Sequence, residues 1–290
     1  MMRLPYTRAA AAATLAVALG GAQVAHAQDW VIAEGAFETA SDVTKHSRLA
    51  TDRAGIMAAL SGETPDYAEA MAIYASGRNF PWKGTTHSMG RFADDYNGDV
   101  AVALPRSVAH WGTSRFQTAP VFSALAGTDG MRAAPAEQRR ALVSGATLAT
   151  MLNWSRFELV MSRRKALAAD PNWSLKKGSP KNWNEAFAFY HGPDGENAVH
   201  AALAGIDGGD AVNTALYEAL AAGQDRLLEE SWPAGHAAEA ARTLDHAALL
   251  LFADALAEAD GQTGPAREAA LASAKGLWLA AAETVLGLSP

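Results

Sequence analysis

The segment Tyr67-Ala-Glu-Ala-Met-Ala-Ile-Tyr-Ala-Ser-Gly77 returns further down the chain as Trp183-Asn-Glu-Ala-Phe-Ala-Phe-Tyr-His-Gly192, and few features constrain a fold more than such a return. At one constant offset Glu69 matches Glu185, Ala70 matches Ala186, Ala72 matches Ala188 and Tyr74 matches Tyr190. Carried upstream, the same offset pairs Asp42 with Glu158. A unit that repeats its carboxylate and tyrosine along with its apolar residues predicts a pseudo-symmetric fold, with repeats at about 36–77 and 152–193, and a duplicated site. Oxygen-rich clusters of this kind suit hard cations, ferric iron above all.

The remaining chain reads as helix. It is rich in Ala and Leu with few β-branched runs, a composition that favours helices. Helical spacing runs from Asp29 to Leu60 and stops at Ser61-Gly62; Pro65 opens a shorter helix that Gly77 closes, the usual asymmetry of helix ends. Pro135 starts a long helix reaching Ala169, where Asp170-Pro171 ends it. Further helices are expected at about 196–205, 210–230, 234–259 and 265–286. Residues 79–134 are rich in Gly, Pro and aromatics, which predicts loop and short helix, with Val100–Leu104 as a possible short strand. The expected architecture is all-α: a single helical-bundle domain over 28–290, with an internal pseudo-repeat and a long irregular segment between its halves.

Residues 1–27 have the pattern of an export signal. Arg3 and Arg8 precede an Ala/Leu/Val run, and Ala25-His26-Ala27 supplies a small-x-small cleavage site. No later stretch runs to about 20 uninterrupted apolar residues, so the mature chain is expected in the periplasm without membrane insertion. A formal net charge of −7 with no basic stripe argues against nucleic acid as a partner. With Cys 0, disulfides, Cys-ligated zinc, iron–sulfur clusters and c-type haem attachment are excluded. There is no His-Glu-x-x-His helix, no Gly-x-Ser-x-Gly elbow and no P-loop.

Six residues stand as candidate metal ligands. In the expected first helix, Glu38, Asp42 and His46 fall at i, i+4 and i+8, the spacing used by metal sites in helical bundles. Asp42 and His46 are retained as ligands, with Glu38 assigned to a solvated face. Glu158 shares a helical face with Met151, Trp154 and Met161. Burial there demands a cation, a hydrogen-bonding partner or protonation, or else an ion pair with an arginine such as Arg156 or Arg164. Glu69 and Glu185 gain weight from the repeat. Tyr190, like Tyr74, is either a phenolate ligand for ferric iron or a core tyrosine with a hydrogen-bonded hydroxyl. His191 is placed at a helix C-terminus, where a cation complements the dipole.

The stretch Lys181-Asn-Trp-Asn-Glu-Ala-Phe-Ala-Phe-Tyr-His-Gly192, with Ile73-Tyr-Ala-Ser-Gly-Arg-Asn79, resembles the low-iron-inducible periplasmic proteins of algae and their bacterial relatives, iron-assimilation proteins also described as high-CO2-inducible. The resemblance implies a secreted protein that binds iron, Fe3+ or Fe2+, passes it to a membrane iron transporter and has no catalytic turnover. It carries over Glu185, Tyr190 and Tyr74; Asp42, His46 and Glu158 rest on repeat offset and helix geometry. The Gly-x-His-x-x-Glu motif of imelysin-like iron proteins is absent. Two other readings remain open: a periplasmic enzyme using Glu158 or Glu185 as general acid or base, and a helical scaffold that binds a partner without metal.

Overall fold

The computed structural model describes residues 30–94 and 98–288; the segment read as an export signal lies outside them. The architecture is all-α. A small hairpin, β1 (Ala33–Glu34) with β2 (Phe37–Glu38), leads into α1 (Thr44–Ser47), α2 (Leu49–Ala59) and α3 (Tyr67–Ser76). A second hairpin, β3 (Phe80–Trp82) with β4 (Thr85–His87), is followed by the short helices α4 (Met89–Ala93), α5 (Asp99–Ala103), α6 (Pro105–Trp111) and α7 (Thr118–Ala126). The long helices are α8 (Ala136–Ala166), α11 (Gly209–Leu228), α12 (Ala234–Gly261) and α13 (Gly264–Leu288), with α9 (Ser179–His191) and α10 (Val199–Ala204) between α8 and α11.

Helix α8 is the axis of the molecule. Its middle, from Leu142 to Leu159, is buried almost without interruption, which is how a helix reads when it is enclosed on every side. It packs against α9, α12 and α13. The α8–α13 crossing is close because both helices present glycine. A Cβ on Gly145 would lie 2.3 Å from the Ser273 carbonyl oxygen, and one on Gly276 would lie 2.4 Å from the Ala146 nitrogen. Helix α13 is long and apolar enough to cross a membrane by length and composition, with mean hydropathy 1.2, yet 61% of that window is buried inside the protein. One buried apolar cluster runs from Phe37 through the α8 face to Ala280.

Three expectations are corrected. Residues 30–43 are not helical, so Glu38, Asp42 and His46 form no stripe. The chain turns at Gly35 (φ +57°), with its path closed by Thr39, whose backbone nitrogen bonds the Ile32 carbonyl at 3.0 Å and whose hydroxyl accepts from the Ile32 nitrogen. Phe37 is buried against Phe187, their ring centroids 4.6 Å apart; this tertiary anchor overrides local helix propensity. Val100–Leu104 is no strand: residues 99–103 form α5, whose last turn is closed by the Leu104 nitrogen on the Val100 carbonyl. The repeat, finally, extends to one helix only. Helices α3 and α9 correspond, but residues 152–166 lie in α8 while 36–50 comprise β2, a turn and the start of α1–α2. The segments 36–77 and 152–193 are therefore not copies of one folded unit.

The corresponding helices themselves end as their sequences direct. In α3 the Asp66 carboxylate caps the N-terminus by accepting from the Glu69 nitrogen at 2.9 Å. Gly77 ends it at φ +66°, where a Cβ would lie 2.1 Å from the His87 carbonyl oxygen. Helix α9 starts after Gly178, carries Pro180 in its first turn and ends at Gly192.

Candidate functional site

Helix α9 is buried along its whole length, and it organises the site in two ways. Its start is tied to α8 through Ser162, whose hydroxyl lies 2.9 Å from that of Ser179 and 3.0 Å from the Ser179 carbonyl oxygen. Its middle captures the segment before α1: the Asn184 side-chain oxygen accepts from the nitrogens of Ala40 at 2.7 Å and Ser41 at 3.3 Å. Lys181 adds a bond from its ammonium to the Asp42 carbonyl oxygen. These ties place His46, at the first turn of α1, over the α9 face that carries Glu185.

That face holds a compact polar cluster. His46 Nε2 lies 3.0 Å from Glu185 Oε1, and Lys181 Nζ lies 3.7 Å from the same oxygen. Asn182 Nδ2 donates to Glu185 Oε2 at 3.1 Å and also to Glu158 Oε2. Glu158 and Glu185 lie close enough for the charge of Glu185 to raise Glu158. Two buried atoms of these residues, His46 Nδ1 and Asn182 Oδ1, have no hydrogen-bond partner. The cluster lies in the wall of a cavity of ≈ 300 Å³ whose apolar lining includes Trp82, Phe92, Trp154 and Met161. Lys45, Lys165, Lys176, Lys177 and Lys181 line it too. His46 is fixed edge-on against Phe80 and Phe189, at centroid distances of 4.9 and 5.7 Å.

The electrostatics follow from burial. Glu158 is held well above the ordinary carboxylate range, by desolvation first and then by the charge of Glu185 beside it. Glu185 is raised too, again chiefly by burial, but Lys181 restrains the rise. Two adjacent buried carboxylates cannot both ionise cheaply, so the pair shares a proton. His46 is held well below its usual value by burial, then by Lys181, Lys45 and His87. Its contact with Glu185 is accordingly a hydrogen bond from a neutral ring, with Nε2 donating and Nδ1 left as a bare acceptor.

The structure thus brings His46, Glu158 and Glu185 together and leaves Asp42, Glu69 and Tyr190 outside the cluster. The Asp42 carboxylate is exposed and accepts from the Thr44 nitrogen and hydroxyl, closing the turn into α1. Glu69 is 38% exposed at its side chain and pairs with Arg78 at 2.5 Å, whereas the Glu185 side chain is 11% exposed. Tyr190 is fully buried and donates to Asn213 on α11 at 2.7 Å; burial raises its phenol further. Five residues along a helix turn the side chain by about 140°, so Tyr190 faces away from Glu185. The arginines considered as partners of Glu158 are engaged elsewhere: Arg156 with Asp245 at 2.7 Å, and Arg164 against the Met161 sulfur. Lys181 and Asn182 are the residues that sequence reasoning missed. Their spacing of four and three before Glu185 puts them on its helical face.

Among the described residues, no group of three or more His, Cys, Asp and Glu side chains is arranged as it would be to hold a metal ion. The arrangement present is a proton-sharing carboxyl pair, a neutral imidazole and a carboxamide, all from residues that line one cavity.

The model of the Fea1 family, described as low iron-inducible periplasmic protein, matches residues 11–206, more than half of the chain. The chain belongs to this family. The match includes both α3 and α9 and every residue of the polar cluster, and stops before α11–α13. No curated protein and no solved structure gives a significant match.

Proposed function

We propose that this member of the low iron-inducible periplasmic family is itself an iron-binding protein, exported through residues 1–27, that captures iron for assimilation at the His46–Glu158–Glu185 cluster and delivers it to a membrane iron transporter. The observation that supports this reading most is the pair of buried carboxyl groups bridged by Asn182, with a neutral His46 3.0 Å from one of them. Two carboxylates and an imidazole form a donor set suited to iron. Entry of the cation displaces the shared proton and draws the three groups inward, with affinity rising with pH. The carboxamide oxygen of Asn182 is a further available donor.

The test is equilibrium dialysis of tag-free protein against Fe2+ under anaerobic conditions and against Fe3+. Glu185→Gln and His46→Gln are expected to weaken retention by at least about tenfold, and Glu69→Gln to leave it unchanged. Wild-type iron affinity in the Glu158→Gln, Glu185→Gln double variant would remove the site. The proton held by the carboxyl pair also favours a second reading, a general acid acting on a small periplasmic molecule; iron binding by the wild type and its loss in these variants decide against it.

A further inference from the structure

The cavity that contains the carboxyl pair carries more positive than negative charge. Five lysines line it against Glu158 and Glu185, in a chain whose formal net charge is −7. Lys165 is committed to the Lys177 carbonyl oxygen at 2.7 Å, and Lys181 to Asp42 and Glu185. Lys45 lies over the Trp82 ring, 3.8 Å from its centroid. Lys176 and Lys177 are exposed at the rim and make no salt bridge among the described residues. A bare cation is repelled by such a rim, because clefts lined by one sign of charge concentrate the opposite sign.

The deep wall makes the opposite demand. Glu158 and Glu185 stand side by side in it, with the neutral His46 3.0 Å from Glu185 Oε1. Once the shared proton leaves, carboxylate oxygens are acceptors only, so the pair calls for a cation or a hydroxyl donor. A single occupant that meets wall and rim together has a positive centre and an anionic periphery.

We propose that this cavity takes its iron as a complex with a small hydroxycarboxylate chelator, the metal facing His46, Glu158 and Glu185 and the chelator's free carboxylates facing Lys45, Lys176 and Lys177. The proposal rests on the iron-capture reading and specifies the form in which the metal arrives. The cavity's ≈ 300 Å³ lies at the low end of the roughly 300–1,000 Å³ of ligand pockets, which suits one small chelator and excludes a large macrocyclic one. Trp82, whose face already receives Lys45, closes the side of the pocket where that cation meets the ligand.

The experiment uses the full chain and doubly labelled ferric citrate: equilibrium dialysis with radioactive iron, with radioactive citrate and with both. The expected result is that iron and citrate are retained in a fixed ratio, iron at least about tenfold more tightly than ferrous iron offered without citrate. Lys176→Gln with Lys177→Gln should reduce co-retention by about tenfold while the melting temperature stays unchanged and ferrous binding, relieved of two repelling charges, does not weaken. Iron retained without citrate overturns the chelate inference and leaves iron capture standing. Citrate retained equally well without iron overturns the chelate inference in favour of an anion site. Retention of neither overturns the chelate inference, and the iron-capture reading with it only where ferrous iron alone is not retained either; wild-type co-retention in the double lysine variant removes the rim's role.

Discussion

At the residue scale, the carboxyl pair makes a prediction about stability that is independent of any metal. Glu158 has a folded-state value well above its ordinary 4.5, so the folded protein binds more protons than the unfolded chain once the pH passes that ordinary value. Stability then falls as pH rises: the contribution is whole below 4.5 and is lost through the raised folded value. Glu158→Gln, which keeps shape and hydrogen-bonding capacity, should flatten this limb and stabilise the metal-free protein at pH 7 by on the order of 1 kcal/mol or more. Urea denaturation at pH 5 and pH 7.5 reads the difference; a variant less stable than wild type at both would mean that Glu158 is ionised and paired. Tyr190 gives a second prediction. Tyr190→Phe leaves the Asn213 oxygen without its 2.7 Å donor, at a cost of about 1–3 kcal/mol, but should not alter iron affinity. The iron complex should lack a phenolate charge-transfer band; such a band, lost in Tyr190→Phe, would return the tyrosine to the metal.

The same scale shows what the chain reveals about its site. Glu158 is legible because Trp154 and Met161 share its face, and the three do line one cavity. Glu185 is legible through the repeat, but the repeat promotes Glu69 and Tyr190 with it. Identical local sequence does not fix environment: Glu185 meets α1 and α8, while Glu69 sits in an exposed first turn beside Arg78. His46 stands out in the sequence only through a helical stripe that the fold does not contain. Its actual position depends on Asn184 holding the backbone of residues 40 and 41 across the fold, a contact that no local pattern encodes.

At the element scale, helices α8 to α13 lie within a few residues of their expected limits, because proline and glycine mark their ends and alanine fills their interiors. The hairpins escape such a reading. Two- and three-residue strands carry too little alternation to register as a period. The α8–α13 crossing, also invisible in the sequence, yields a sharp test. Gly276→Ala puts a methyl 2.4 Å from the Ala146 nitrogen, and separating the helices should cost roughly 1–3 kcal/mol. Gly235→Ala, where a Cβ meets nothing within 4 Å, serves as the matched control and should be near neutral. Equal melting temperatures for the two variants would show that the helices are not in close contact.

At the scale of the whole molecule, the family match ends at residue 206, yet the structure does not divide there. Helix α8 depends on α12 and α13: the Asn153 side chain donates to the Leu279 carbonyl at 3.1 Å, and Arg156 donates to Ala280, Asp245 and Thr284. Cutting the chain after residue 206 would expose Leu142, Ala146 and Ala149 and strand a buried guanidinium. The fragment 28–206 should therefore lack a cooperative thermal transition and bind a hydrophobic dye, as far- and near-ultraviolet circular dichroism and dye fluorescence would show. A fragment with a native-like sharp melt would mean that α11–α13 are accessory.

The glycine crossing has a consequence for how this family can diversify. Helix α8 is pinned at Gly145, where it meets α13, and must still deliver Glu158 to the cavity. One residue gained or lost between those points would swing the carboxyl around the helix by about 100°, out of reach of Asn182. Insertions and deletions among relatives that keep the cavity should therefore be confined to positions outside 145–158, and exposed loops away from it, such as 61–66, are where their lengths are free to drift.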